Sequence, residues 1–247
     1  MDLPGLIMDS INEDKPFFIV FYGPSTTSVE NVFPNWAEII RYVLKDHFEE
    51  TTGDYMKAYW NIQTANLGLN GASSLDLLER FDVLIRRTMP DLLFLCAGKN
   101  DCYYGYGEVV TQKNTTAIIQ EALSHGIKVV LTTAIPSLSI KLNERMRGHI
   151  EADRIAAEKF SQNENFLFLD LFRLFPRQYV ADSYTLISED GNSQVGYAPG
   201  ERDPIHPNRL GNALIAEIIL KEAFRIDFNS KKFLKNVADM TKKYPEY

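Results

Sequence analysis

The sequence predicts an α/β fold in which a parallel sheet of five strands lies between two layers of helices. Short apolar segments with strand character alternate along the chain with longer segments whose apolar residues recur at helical spacing. The strand segments are almost continuously apolar, which is typical of strands that are covered on both faces. The 247 residues, of which 45% are hydrophobic, suffice for one domain with a sizeable core.

The first part of the chain contains two predicted strands and two predicted helices. An apolar run at 17–22 predicts the first strand, and apolar residues at helical spacing predict a helix at 35–48. A second, weaker strand is predicted within 55–66. The helical pattern is strongest at 74–89, and Pro90 marks the end of that helix because proline cannot continue it.

The second part of the chain continues the alternation with three strands and three helices. Gly126 is placed to cap the C-terminus of one of these helices, since glycine readily adopts the left-handed conformation found there. In chain order the predicted elements are a strand at 91–96, a helix at 114–124, a strand at 127–132, a helix at 142–160, a strand at 166–169 and a helix at 208–224.

This alternation, with right-handed crossovers, favours a flavodoxin-like strand order and a three-layer α/β/α architecture. The chain is predicted to be a single domain, 1–247, with a core at about 17–224 and a helical extension at 225–247. An apolar stripe on the extension predicts either docking onto the same domain or a homodimer contact. The residues of the stripe are Phe233, Val237, Met240 and Tyr244.

Composition and charge exclude several classes of function. A net charge of −7 does not favour binding to nucleic acid or to an anionic membrane, and no apolar run is long enough to cross a bilayer. The N-terminal segment carries four acidic residues before its first basic residue, Lys15, unlike a secretory signal peptide, so a cytoplasmic location is expected. Cys96 and Cys102 form no zinc or redox motif and are predicted to be reduced thiols. Nucleotide-binding motifs are also missing from the sequence, so no cofactor or metal is expected.

A candidate catalytic pair, Asp203 and His206, lies just before the last core helix. A histidine that acts as a base near neutral pH needs a carboxylate that fixes its tautomer and stabilises the imidazolium. The best candidate for the group that this base would activate is Ser25, which follows the first strand. Because the carboxyl ends of parallel strands meet at one edge of a sheet, residues this far apart in sequence can converge there.

Four short blocks follow predicted strands and contain these residues. In order, the blocks are Gly23-Pro24-Ser25, Asn66-Leu-Gly-Leu-Asn-Gly71, Gly98-Lys-Asn100-Asp101 and Asp203-Pro-Ile-His206. The four blocks resemble those of the SGNH hydrolase superfamily, also called GDSL-type esterases. Each block alone is a weak signal, whereas four in the expected order are a strong one. The resemblance covers most of the chain, from Phe17 to Phe224, and implies the fold of that superfamily.

The resemblance implies a catalytic triad and an oxyanion hole. Ser25 would attack an ester carbonyl, His206 would remove its proton, and Asp203 would hold His206. The negative oxygen of the tetrahedral intermediate would be bound by the backbone N–H groups of Ser25 and Gly71 and by the side-chain amide of Asn100. Glycine suits position 71, because a side chain there would crowd the substrate and restrict the backbone.

The chain departs from the superfamily at Pro24, where an aspartate usually precedes the nucleophile. Proline lacks an N–H group, but the N–H that would serve the oxyanion belongs to Ser25 and is retained. The hypothesis is that the ring of Pro24 holds the turn that an aspartate side chain holds elsewhere. In the block of Asn100, we expect Asp101 to be structural and to bond nearby backbone N–H groups.

The remaining histidines, His47, His125 and His149, are not expected to be catalytic. None of them lies near a nucleophile block in the sequence. His47 and His149 fall in helical segments and are predicted to be surface residues. His125 precedes Gly126, where a cation would suit the C-terminus of a helix.

Two loops are expected to line the substrate pocket. One follows the block of Asn100 and the other precedes Asp203. Tyrosines beside glycines can form a mobile aromatic wall for a sugar ring or an acyl chain, although ordinary loop packing explains them equally well. An arginine in the second loop could bind an anionic group or pair with a neighbouring acid. The candidate substrate-binding residues are Tyr103, Tyr104, Tyr106, Tyr197 and Arg202.

These features predict a serine esterase that cleaves a short acyl ester, such as that of an O-acetylated carbohydrate. An acyltransferase with the same triad stays an alternative, because both reactions need the same residues. A protein that keeps the fold only for binding is a third possibility, and Pro24 is its only support. The expected partner is a small-molecule or saccharide ester rather than a nucleic acid or a membrane.

Overall fold

A computed structural model describes residues 1–238 of the chain. Within this part, five parallel strands form one sheet in the order β2-β1-β3-β4-β5. This order confirms the flavodoxin-like arrangement that the sequence predicts. The strands are β1 (Phe17–Gly23), β2 (Ile62–Gly68), β3 (Leu92–Cys96), β4 (Lys128–Thr132) and β5 (Phe166–Leu169).

Helices cover both faces of the sheet. They are α1 (Leu3–Asn12), α2 (Trp36–Thr52), α3 (Tyr55–Asn61), α4 (Ser74–Phe81), α5 (Asp101–Tyr104), α6 (Glu108–Ser124), α7 (Ile140–Glu158), α8 (Leu171–Leu174), α9 (Arg209–Phe224) and α10 (Ser230–Asn236). A π-helical turn, Asp82–Arg86, continues α4 and ends three residues before the end of the segment 74–89 that the sequence predicts as one helix. In the described part of the chain, no helix is both long and apolar enough to span a bilayer.

The two faces of the sheet bury separate sets of side chains. Successive residues of a strand point to opposite faces. Ile19 and Phe21 of β1 therefore join the core beneath α1, α2, α9 and α10. Val20 and Tyr22 join the core beneath α4 and α6. All four of these side chains are at most 1% exposed, as the apolar run of a doubly covered strand predicts.

Two helices of the first part were not predicted. Helix α1 buries Leu3, Ile7 and Ile11 completely, at the four-residue spacing of one helical face. Helix α3 occupies the start of the segment in which the weaker strand is predicted, so β2 begins only at Ile62. The side chain of Asp54 accepts hydrogen bonds from two backbone N–H groups of the first turn of α3 and thereby starts this helix.

The extension after α9 docks on the same domain through Phe233 of α10. This side chain is 1% exposed, and its ring centroid lies 5.6 Å from that of Tyr42 and 5.5 Å from that of Phe228. Val237 is 39% exposed, whereas Met240 and Tyr244 lie outside the described residues. The homodimer contact stays a prediction.

Candidate active site

The carboxyl ends of the strands position the five residues that the sequence singles out. Ser25 follows β1, Gly71 follows β2, and Asn100 follows β3. His206 lies in the connection between β5 and α9, and these four residues line one cavity. Asp203 is the fifth residue and contacts His206 from behind. The convergence that parallel topology predicts is therefore present.

The loop that presents Ser25 is held by hydrogen bonds to its backbone carbonyls. Every carbonyl from residue 24 to residue 28 accepts at least one, and those of Pro24 and Thr26 accept two. In order, the nearest donors are Thr27 N–H at 2.8 Å, Asn31 Nδ2 at 3.1 Å, Trp36 Nε1 at 2.8 Å, Asn66 Nδ2 at 2.7 Å and Asn35 Nδ2 at 3.1 Å. Side chains from outside the loop thus hold four of its carbonyls, and the role of the Pro24 ring stays a hypothesis.

Ser25, His206 and Asp203 form a continuous chain of hydrogen bonds. The Oγ atom of Ser25 lies 2.8 Å from Nε2 of His206, and Nδ1 of His206 lies 2.6 Å from Oδ2 of Asp203. A carboxylate can only accept, so Nδ1 donates to it and Nε2 is left to accept the hydroxyl proton of Ser25. The imidazole is thereby held in the tautomer that a general base requires.

Asp203 is kept ionised by its surroundings. Burial by itself would raise the pKa of this carboxyl, but its hydrogen bond to His206, the charge of His206 and two backbone N–H groups together lower the pKa. The two N–H groups belong to Ile205 and His206 and lie 2.7 Å and 3.2 Å from Oδ1 of Asp203. The lowered pKa means that the carboxylate stabilises the folded state at neutral pH. This contribution is lost as the pH falls through the lowered value.

The two other predicted oxyanion donors lie in backbone turns of special geometry. Gly71 has a φ of +75°, a conformation that costs a non-glycine residue roughly 1–2 kcal/mol. A Cβ atom at this position would meet only the Tyr104 hydroxyl, at 3.6 Å, so the backbone conformation explains the glycine better than crowding by the protein does. The side-chain amide of Asn100 is buried and donates one hydrogen bond to the Ala72 carbonyl at 3.0 Å.

Asp101 connects the loop of Asn100 to the start of α4, as its predicted structural role implies. This fully buried carboxylate accepts from the backbone N–H of Ser74 at 2.7 Å and from its hydroxyl at 2.5 Å. It also accepts from the hydroxyl of Thr111 at 2.6 Å. The loops that carry Asn100 and Gly71 are therefore held at a fixed separation by one buried acid.

The prediction that His149 is a surface residue is wrong. Its side chain is buried, and its Nδ1 atom lies 2.8 Å from the hydroxyl of Thr111. That hydroxyl donates its one hydrogen to Asp101, so Nδ1 of His149 must be the donor in this contact. His149 thus satisfies a polar network behind the site and does not contact the cavity that Ser25 lines.

The cavity beside Ser25 has a volume of about 240 Å³. Tyr103 and Tyr104 line it, as predicted for the first loop. Four carboxamide side chains, which the sequence analysis did not single out, also line it and form what we call the carboxamide rim. They are Asn31, Asn70, Asn192 and Gln194. The only sequence signal for them is their position within or beside the loops that carry the predicted residues.

The other three candidate substrate residues are not among those that line this cavity. The ring of Tyr106 lies 5.9 Å from that of Tyr104, on which it stacks. Tyr197 packs beside an apolar cluster on α7. Arg202 is exposed, and its backbone pairs with that of Ile187. These residues lie on loops whose course no periodic sequence pattern determines, and the loops carry them away from the cavity that Ser25 lines.

Metal ligation finds no support in the described residues, among which no group of three or more His, Cys, Asp or Glu side chains could hold a metal ion. Cys96 and Cys102 are free thiols, and burial raises the pKa of each to about 11. The candidate site therefore consists of a serine hydroxyl, a base that contacts it, and several hydrogen-bond donors around one small cavity. Such a site can carry out nucleophilic attack on a carbonyl.

Known proteins resemble this chain both in sequence profile and in fold. The profile of the GDSL-like lipase/acylhydrolase family matches residues 22–214. A catalytic mutant of Axe2, an acetylxylan esterase from Geobacillus stearothermophilus, is similar with a TM-score of 0.63 at 15% identity, over 85% of this chain and 94% of that chain. No curated protein matches the sequence significantly.

Two further solved structures share the fold. A member of the lipolytic G-D-S-L family from Veillonella parvula has a TM-score of 0.59 at 19% identity, over 85% of this chain and 99% of that chain. A lipase/acylhydrolase from Enterococcus faecalis has a TM-score of 0.58 at 18% identity, over 83% of this chain and 94% of that chain. At these identities the likeness establishes the three-layer fold, and the chemistry has to be argued from the site.

Proposed function

The chain belongs to the GDSL-like lipase/acylhydrolase family and is an esterase, and we propose that it cleaves a short acyl ester through a covalent acyl-enzyme on Ser25. The observation that carries the proposal is the unbroken chain of hydrogen bonds from Asp203 through His206 to Ser25. A protein that only binds esters would not need this arrangement, which argues against the non-catalytic alternative.

The proposed reaction has two halves. In the first, Oγ of Ser25 attacks the ester carbonyl while Nε2 of His206 takes the hydroxyl proton. The tetrahedral intermediate then collapses, and His206 returns that proton to the departing alcohol. In the second half, a water molecule loses a proton to His206 and attacks the acyl carbonyl. Collapse of the second intermediate releases the carboxylic acid and restores the Ser25 hydroxyl.

The oxyanion of each intermediate is proposed to be bound by three donors. These donors would be the backbone N–H groups of Ser25 and Gly71 and the side-chain amide of Asn100, and all three residues line the same cavity. Nδ2 of Asn100 carries two hydrogens, and its bond to Ala72 uses one of them. The second hydrogen is therefore available to the oxyanion, while the first fixes the orientation of the amide.

The lining of the cavity supports an ester substrate whose alcohol is neutral and rich in hydroxyl groups. The carboxamides of the rim are uncharged and, beside the groups already bonded within the protein, carry further donors and acceptors that suit the hydroxyl groups of a sugar. Among the described residues that line the cavity, none is Asp, Glu, Lys or Arg. We therefore propose an O-acetylated carbohydrate as the substrate class. The fold likeness to an acetylxylan esterase is consistent with this choice.

The substrate proposal is tested by comparing esters that differ in acyl length and in alcohol. Because the cavity measures only about 240 Å³, we expect kcat/KM to fall about tenfold or more from p-nitrophenyl acetate to p-nitrophenyl octanoate. An acetylated xylo-oligosaccharide should be cleaved with a higher kcat/KM than p-nitrophenyl acetate. A preference for octanoate, or no acetate release from the oligosaccharide, would contradict the proposal. Product analysis in the presence of free sugar separates hydrolysis from acyl transfer.

Replacing Asn100 with alanine should lower kcat about 10²–10³-fold, which is the usual effect of losing one oxyanion donor. The fold should persist, because in the described part of the chain this side chain makes a single hydrogen bond, to the Ala72 carbonyl. The measurement is steady-state hydrolysis of p-nitrophenyl acetate together with thermal melting followed by circular dichroism. Gln162→Ala, which removes an exposed carboxamide before β5, serves as the control and should keep wild-type activity.

A further inference from the structure

Lys99 is a buried lysine that the proposed reaction does not use. It lies between Gly98 and Asn100 in the turn that follows β3, and only 6% of its surface is exposed. Lysine side chains are almost never this buried unless they are paired. The Nζ atom donates a hydrogen bond at 3.1 Å to the backbone carbonyl of Ile205, the residue directly before His206.

The segment from Asp203 to His206 is held at both of its inner carbonyls. Nζ of Lys99 donates to the carbonyl of Ile205, and the hydroxyl of Ser137 donates to the carbonyl of Pro204 at 2.6 Å. Both donors come from loops at the carboxyl ends of neighbouring strands, β3 and β4. These two contacts fix the orientation of the peptides from which the imidazole of His206 projects.

We propose that Lys99 is a positioning residue for catalysis, which holds the His206 segment at a set distance from Ser25 and supplies a buried positive charge beside it. The proposal rests on the proposed function. Because Lys99 is the chain neighbour of Asn100, one short turn sets both the oxyanion donor and the base. A misplacement of either by about 1 Å can cost on the order of 100-fold in rate.

The charge of Lys99 adds an electrostatic contact to this hydrogen bond. Burial lowers the pKa of Lys99 to about 8, so the ammonium form prevails at neutral and acidic pH. The ionisable groups that act on it are Asp203 in the catalytic segment, Cys96 at the end of β3 and Cys102 on α5. The attraction between the buried ammonium group and the Asp203 carboxylate therefore adds to the hydrogen bond that ties the turn after β3 to the catalytic segment.

The test compares Lys99→Met with a matched control, Lys45→Met. Lys45 is also a buried lysine, 7% exposed, whose Nζ donates at 3.1 Å to a backbone carbonyl, that of Tyr59. We expect Lys99→Met to lower kcat about tenfold or more with little change in KM. Lys99→Arg, which retains the charge and a donor, should recover kcat to within a few-fold of the wild type, whereas a loss of packing alone would not be rescued by the larger arginine. Lys45→Met should change neither quantity.

A further variant keeps the test decisive. Ser137→Ala removes the other carbonyl donor of the same segment, so kcat should fall with little change in KM. If Lys99→Met folds, as judged by circular dichroism, and keeps the wild-type kcat, the proposal is overturned. If it does not fold, an unchanged kcat in Ser137→Ala would overturn it.

Failure of the proposed function would be seen separately, in the wild-type protein. A wild-type chain that neither hydrolyses p-nitrophenyl acetate nor reacts with a fluorophosphonate would remove the basis of both proposals. A reactive wild-type chain with a Lys99→Met variant of equal reactivity would remove only the role of Lys99.

Discussion

Replacing Ser25 with alanine should reduce ester turnover about 10⁴-fold to 10⁶-fold, because this hydroxyl is the proposed nucleophile. The substitution should leave the fold intact, since the hydroxyl forms its hydrogen bond with His206, a residue of the site itself. The measurement is hydrolysis of p-nitrophenyl acetate at saturating substrate, with melting curves of both proteins. Full activity in Ser25→Ala would show that the nucleophile is assigned wrongly.

Ser28→Ala provides the matched control for this experiment. Ser28 is also buried and belongs to the same loop, but its hydroxyl accepts from the Glu30 N–H at 3.3 Å and does not contact His206. The control should retain turnover within a few-fold of the wild type. A large loss in both variants would indicate that the loop, rather than the Ser25 hydroxyl, is what the substitutions disturb.

Replacing His206 with alanine should cost on the order of 10⁶-fold in kcat, comparable to the loss of Ser25, because the two residues act as a unit. Without the imidazole, no other side chain within residues 1–238 lies at hydrogen-bond distance from Oγ of Ser25 to take its proton. The double variant Ser25→Ala/His206→Ala should be hardly worse than either single variant. This non-additivity is measured as residual p-nitrophenyl acetate hydrolysis above the rate in buffer.

His125→Ala is the control for the loss of an imidazole. His125 is positioned at the C-terminal end of α6, and its Nδ1 atom lies 2.9 Å from the Glu121 carbonyl. The His125→Ala variant should leave ester turnover unchanged. Single-variant losses that simply multiply in the double variant would contradict the proposed proton transfer between Ser25 and His206.

The fold and the proposed catalytic residues could be predicted because both depend on strand ends. Apolar runs such as 17–22 locate the strands, and a parallel sheet brings their carboxyl ends together. Ser25 and His206 are 181 residues apart in the chain, yet their side chains meet at 2.8 Å. Sequence order and strand topology are sufficient to anticipate that contact.

The polar network behind the site could not be predicted in the same way. His149 lies on a helix, where a histidine usually faces solvent, but it is buried because Thr111, 38 residues earlier, provides its partner. The burial of Lys99 has the same kind of cause, because the acceptor that permits it is the Ile205 carbonyl, 106 residues later. Burial of a polar group is decided by partners that no local pattern reveals.

The substrate loops show a second limit. Tyr103 and Tyr104 lie on the short helix α5, directly after Asn100, and so their position follows from that of β3. Tyr197 and Arg202 belong to a long loop whose course depends on its own turns, and the same loop brings Asn192 to the cavity instead. Tyrosine and arginine attract notice in a sequence, whereas single asparagines do not.

The acyl-enzyme on Ser25 is tested most directly by mass spectrometry of the protein quenched with acid during p-nitrophenyl acetate hydrolysis. We predict an acetyl adduct that peptide mapping places on Ser25, and a fluorophosphonate that labels the same residue. Both signals should be missing in Ser25→Ala, together with turnover. Wild-type turnover that persists when Ser25 carries no adduct and resists the fluorophosphonate would contradict the account.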